Sequence, residues 1–272
     1  MVKINTTTWL GLSLATGASA ACSRKLLQDT AAQYVQAQTS GNPGLLPLAS
    51  NVSYIENDAT VELTKGVLSQ PITIDLDRSI YDTEQCIAFT EITAATNTHP
   101  YVIDTRLLVS SGKVAAIQSI VTDPGDWVFN ATNHLKWAKQ EKWTPIPKEK
   151  QDTRAVIKAA ADAYLDSWLN GTVKVPYGTP CARIEGGIYT GERNVTANTC
   201  TMPQFPKEFT GIGDRRYVID EELGAVDIFH NFPFIDVKRP NGTSSTNFFR
   251  IEGGMIRYIH ETTVCLTNNC GR

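Results

Sequence analysis

Two histidines stand where strand alternation points them away from water. In Val226-Asp227-Ile228-Phe229-His230-Asn231-Phe232, His230 falls on the face of Val226, Ile228 and Phe232, and Asp227 falls on the opposite face. In the last strand-like run, Met255 to Val264, Tyr258 and His260 share a face with Ile256, while Arg257, Ile259 and Glu261 take the other. An imidazole on an apolar face is a base tunable around neutral pH, and a neighbouring tyrosine hydroxyl can hold a developing oxyanion. Such groups suit removal of a proton next to a carbonyl. His230, His260 and Tyr258 are therefore the expected catalytic groups. Alternation leaves open which face of the last strand lines a pocket, Tyr258 with His260 or Arg257 with Glu261, and the first is preferred. Tyr164 and Trp168 on a helical apolar stripe, Arg183 and Glu185 beside a cysteine loop, and Asp227 are the expected substrate contacts.

Other chemistries lack their motifs. There is no Gly-x-Ser-x-Gly elbow, no Gly-x-Gly-x-x-Gly and no phosphate-binding loop. His260-Glu261-Thr262-Thr263 lacks the second histidine of a zincin, no Cys-x2-Cys pair occurs, and Asp75-Leu76-Asp77 reads as two exposed carboxylates on one strand face. No metal and no cofactor is expected. A net charge of −3 with no basic cluster excludes a nucleic-acid partner.

The elements that must position these groups come in two sets. Ser23 to Gly41 has apolar residues at helical spacing, with Ser23 to cap the start and Gly41 to end it. Asp152 to Gly171 repeats the pattern without a gap: Tyr34 falls on Tyr164, Val35 on Leu165 and Gly41 on Gly171. Strand-and-hairpin sequence follows each helix, Cys86 to Val121 in one set and Arg216 to Val264 in the other. Setting Cys86 against Ala225 places Glu91 where the second set has His230, and the last hairpins place Gln118 on His260. Asp104 and Arg106 alternate on one strand face as a candidate pair. The chain of 272 residues thus reads as two α+β units, 21–145 and 146–272, with any active site in the second and the two sheets paired. A homodimer is also compatible with this pattern.

The first 20 residues read as a cleavable leader: Lys3, a short apolar run from Trp9, and Ala18-Ser19-Ala20 before the cut. No stretch is long enough to span a membrane. All six cysteines lie beyond the leader, as expected of an oxidising compartment. The preferred pairing is Cys181 with Cys200, then Cys265 with Cys270, which leaves Cys22 with Cys86. Acceptor sequences for N-linked glycans begin at Asn51, Asn130, Asn170, Asn194 and Asn241. Together these place the protein outside the cell or in the secretory lumen.

The repeated helix, strand series and final hairpin resemble the NTF2-like superfamily, which includes SnoaL-like cyclases and ketosteroid isomerases. More narrowly, Pro124 to Asn130, Thr179 to Gly187 and Arg216 to Val226 are similar to a secreted fungal family, DUF8021, over nearly the whole mature chain. The resemblance implies two cone-shaped domains, each with helices on a curved antiparallel sheet around a pocket. It also implies a cofactor-independent isomerase, cyclase or dehydratase acting on a small apolar or carbonyl-containing molecule. A dimerising cyclase of fungal polyketide or anhydride metabolism fits that description. The competing expectation is a non-catalytic secreted glycoprotein that binds an apolar ligand or a host or wall surface.

Overall fold

Leu27, Ala31 and Tyr34 recur on one side of the first helix, α1 (Arg24–Ser40), and are buried there. The Ser23 hydroxyl accepts from Leu26 N at its start, and Gly41 ends it in the left-handed conformation at φ 64°. The computed structural model describes residues 22–202 and 211–271. The expected leader lies outside them.

After α1 come β1 (Leu48–Glu56), β2 (Ala59–Thr60), β3 (Leu76–Asp82), β4 (Ile87–Ala94), β5 (Tyr101–Ser110) and β6 (Lys113–Thr122), which form one sheet in the order β2-β1-β6-β5-β4-β3. A short helix, α2 (Ala131–Ala138), follows. The second unit repeats the plan. It comprises α3 (Arg154–Leu169), β7 (Tyr177–Glu185), β8 (Ile188–Tyr189), β9 (Gly213–Asp220), β10 (Ala225–Phe232), β11 (Thr243–Glu252) and β12 (Met255–Thr263), in the order β8-β7-β12-β11-β10-β9. The architecture is α+β in two units. Neither sheet is purely antiparallel as expected, because β1 runs parallel to β6 and β7 parallel to β12. The chain reaches each of these strands only after crossing from the helix, and it docks there alongside the last strand of its unit.

Two local expectations are corrected. Thr153, not Asp152, caps α3, and the Asp152 carboxylate instead accepts from Gly254 N at 2.8 Å. The helix ends at Leu169, with Asn170 rather than Gly171 as its cap. In β4 and β10 the true equivalents are Ile87 and Ala225, which face Leu108 and Arg250 across their hairpins. Cys86 belongs to the preceding turn at φ 57°, where the second unit has Gly224 at φ 51°. That one-residue shift matches Glu91 with Phe229 and His230 with Ile92, and so puts Glu91 and His230 on opposite sheet faces.

Each sheet packs one face on its own helix and the other on the partner sheet. Leu27, Ala31 and Tyr34 meet Ala88, Ile92, Ile103 and Ile117 in the first unit. Ile157, Tyr164 and Trp168 meet Val226, Ile228, Phe249 and Ile259 in the second. Between the sheets lie Ile80, Phe89, Ile120, Val218, Phe229 and Phe248. All eight residues of β4 are buried for this reason.

Reciprocal clamps tie the sheets together. Arg24 donates to both oxygens of Asp220 at 2.9 and 3.0 Å, and Asp220 also accepts from Tyr81 N. Arg154 donates to both oxygens of Asp82 at 2.9 and 2.6 Å, and Asp82 also accepts from Ile219 N. Because the two contacts are the same pair of positions exchanged between units, the interface has pseudo-two-fold symmetry.

The cysteines pair as Cys22–Cys86, Cys181–Cys200 and Cys265–Cys270. The first bridge, with a sequence separation of 64, anchors the start of α1 to the β3–β4 turn. It removes roughly 4 kcal/mol of chain entropy from the unfolded state. All five acceptor asparagines are exposed. No described helix is long and apolar enough to cross a membrane.

Candidate functional site

A cavity of about 340 Å³ opens between the sheet and helix of the second unit. Strand alternation brings Arg183 and Glu185 to it from β7 and Glu261 from β12, while α3 contributes Trp168. Trp127, Phe232, Phe234 and Ile235 complete an apolar wall. Tyr164 stands behind it, its hydroxyl accepting from Arg183 Nη1 at 3.4 Å, and Arg183 also pairs with Glu185.

Glu261 is the chemically distinctive group. Its side chain is 1% exposed. Burial, reinforced by the nearby Glu185 charge, pushes its carboxyl up to about 8. Its Oε2 accepts from Asn247 Nδ2 at 3.4 Å, and its Oε1 has no hydrogen-bond partner among the described residues. Asn247 Oδ1 in turn accepts from His230 Nε2 at 2.7 Å. His230 is thus joined to the cavity through Asn247, one residue back from the lining. Burial holds its imidazole down at about 4, so it is neutral at pH 7. A buried carboxyl facing an arginine in an aromatic pocket can exchange a proton with a bound molecule and fix a polar end of it.

Residues 150–263 match the family model described as a domain of unknown function, DUF8021. No curated protein matches the chain. The DUF8021 match runs from just before α3 through β12, so it contains Tyr164, Trp168, Arg183, Glu185, His230 and Glu261. The resemblance expected over nearly the whole mature chain is matched over the second unit.

The structure separates the other expected residues from this cavity. His260 and Tyr258 lie on the face of β12 that meets the first unit, while Ile259 and Glu261 turn inward and Arg257 pairs with Glu252 outside the cavity. A register shift near Arg250 and Ile251 brings Ile256 inward as well. Asp227 also faces the other sheet. It is fully buried and accepts from Thr246 Oγ1 at 2.5 Å. Asp104 and Arg106 do not pair: Asp104 accepts from Thr262 Oγ1 at 2.6 Å, and Arg106 donates to Gln118 at 2.7 Å.

His260 is instead the centre of a polar cluster between the units. Its Nδ1 lies 2.6 Å from Glu91 Oε1 and its Nε2 lies 2.8 Å from Glu141 Oε2. Burial opposes a charge on this ring, but Glu141 and Glu91 outweigh it and raise the imidazole to about 10. Burial would likewise raise Glu91, yet the imidazolium holds it at about 2. Arg78 sits 3.3 Å from Glu91 Oε2, and Trp143 Nε1 donates to Glu141 at 2.8 Å. His134, on α2, turns its Nδ1 to Thr93 Oγ1 at 3.1 Å, and burial lowers it to about 4. His134, Glu141 and Trp143 carry no motif in the sequence, since they lie in the Lys-, Trp- and Pro-rich stretch that joins the two units. Its helical signal is Asn130 as cap with His134, Trp137 and Ala138 at one face's spacing.

Proposed function

We propose that this protein is a secreted, ketosteroid isomerase-like catalyst that moves a proton on a small, largely apolar carbonyl compound in its second unit. The reaction class is isomerase, cyclase or dehydratase. Dimerisation of anhydride monomers in fungal polyketide metabolism is one reaction that needs such a carbanion. The observation that carries the reading is the Glu261 carboxyl, buried in an aromatic cavity opposite Arg183. Glu261 exchanges the substrate proton. Arg183, held by Glu185 and Tyr164, holds the oxygen on which charge develops. His230 acts through Asn247 as a positioning residue.

Supporting the NTF2-like assignment, each unit sets a long helix against a six-stranded mixed sheet, and the two units share one strand order. Supporting secretion, three disulfides join all six cysteines, and the five glycan acceptors lie on the surface.

The test is exchange of the α-hydrogens of enolisable ketones and cyclic anhydrides with deuterated water, followed by NMR. The wild-type protein accelerates exchange, and Glu261→Gln lowers the rate at least 100-fold with binding kept. Binding without exchange in the wild type would instead support the second reading, a carrier of apolar ligands. The wall of Trp127, Trp168, Phe232 and Phe234 favours that reading.

A further inference from the structure

The cluster between the units has a geometry that its ion pairs do not use up. Glu91 comes from β4, His260 from β12 and His134 from the segment joining the units. One ligand atom from each lies within 4.8 Å of the other two, and all three residues are buried. His134 is 0% exposed, and its Nε2 has no hydrogen-bond partner among the described residues, standing 3.7 Å from Glu91 Oε1. An unpaired buried imidazole nitrogen is costly unless something binds it.

The remaining nitrogens are held from behind. His134 Nδ1 meets Thr93 Oγ1, and His260 Nε2 meets the Glu141 carboxylate. Metal-binding histidines are oriented in this way, with the outer nitrogen on a hydroxyl, carbonyl or carboxylate and the inner one free for the ion.

We propose that Glu91, His134 and His260 form a site for a divalent transition-metal ion of the zinc class, which locks the two units and their connector together. Two imidazoles and one carboxylate are a donor set suited to that class. Around an ion with bonds of about 2.1 Å, tetrahedral ligands stand roughly 3.4 Å apart. The present 3.7 Å between His134 and Glu91 is close to this. The 2.6 Å contact between His260 and Glu91 must open by about 0.8 Å as the ion replaces the shared proton. Water or the second oxygen of Glu91 fills the fourth position. The site lies on the opposite face of β12 from the cavity and stands whether or not the cavity is catalytic.

The experiment loads EDTA-stripped full-length protein with Zn²⁺ or Co²⁺. One equivalent stays bound through gel filtration, Tm rises with added Zn²⁺, and Co²⁺ gives the strong visible absorption of a low-coordinate site. In His134→Gln the affinity falls more than tenfold, while the His260 pairs with Glu91 and Glu141 remain to hold the metal-free fold. No absorption band and an unchanged Tm at saturating metal overturn the proposal. Equal binding by His134→Gln overturns it too, since the ion then sits elsewhere.

Discussion

In the second unit Glu261, Asn247 and His230 line up behind an open cavity. In the first, the equivalent strand positions hold Ser119, Thr105 and Ile92, and the space is filled. Tyr34 shares a 2.7 Å hydrogen bond with Thr105, and Thr105 shares one of 2.8 Å with Ser119, so small hydroxyls satisfy one another across the gap. Gln38, which stands where the second unit has Trp168, donates to Val67 O and Gln70 O. Glu56, the counterpart of Glu185, accepts from Val67 N at 2.8 Å. These contacts hold the Val67–Ser69 turn against the sheet and bury Leu68 completely. One scaffold therefore gives a filled core or a pocket according to whether its inward polar groups pair with each other and with a plug.

Making the units alike should have graded effects. Glu261→Ser copies the first unit at its chemical centre, and proton exchange should fall by a factor of about 100 or more. If exchange survives, the cavity is a binding pocket. His230→Ile copies Ile92 and tests the acid sensitivity of the second core. A histidine whose folded pKa is lowered from 6.5 to about 4 adds stability above pH 6.5 that is lost as the pH falls towards 4. The loss is on the order of 3 kcal/mol and is absent from the variant, as urea titrations across that window would show. Arg24→Ala and Arg154→Ala each strand a buried aspartate. With the arginines about a quarter exposed and the aspartates still holding backbone donors, each should cost about 2 kcal/mol. Near-equal Tm losses would confirm the pseudo-symmetry, and a large inequality would break it. Gly66→Ala should act only on the plug. Its Cβ would lie 2.3 Å from Tyr54 Cε1, and the cost of about 1–2 kcal/mol should appear as faster hydrogen exchange near Leu68.

Much of this frame was legible from residue pattern. Ser23 and Gly41 bounded α1, and Gly112 and Gly254 marked the last hairpins, because caps and tight turns have local causes. The disulfide pairs followed from proximity in the chain for Cys181–Cys200 and Cys265–Cys270, with the third left over. The inward face of β12 was not legible. Both its faces are buried, one by α3 and the other by the partner sheet, so hydrophobicity ranks Tyr258 and His260 no differently from Ile259 and Glu261. The match of Glu91 with His230 failed for a conformational reason. Cys86 occupies a left-handed turn position where a glycine would have flagged the boundary. His134 was hidden in a segment whose Pro- and Lys-rich end masked eight helical residues.

The connecting segment has a consequence for how the two halves can diverge. Across the pseudo-two-fold axis from Glu91, His260 and Phe248 stand Phe229, Gln118 and Arg106. On that side Arg106 holds Gln118, and Arg106 and Arg216 lie over the Phe229 ring. On the other side the connector lays Trp143 on Phe248 and brings in His134 and Glu141. Two separate copies would meet with identical residues at both places, so any mutation would strike twice. Joined in one polypeptide, the copies escape that constraint, and each side of the shared seam can specialise without dragging the other along.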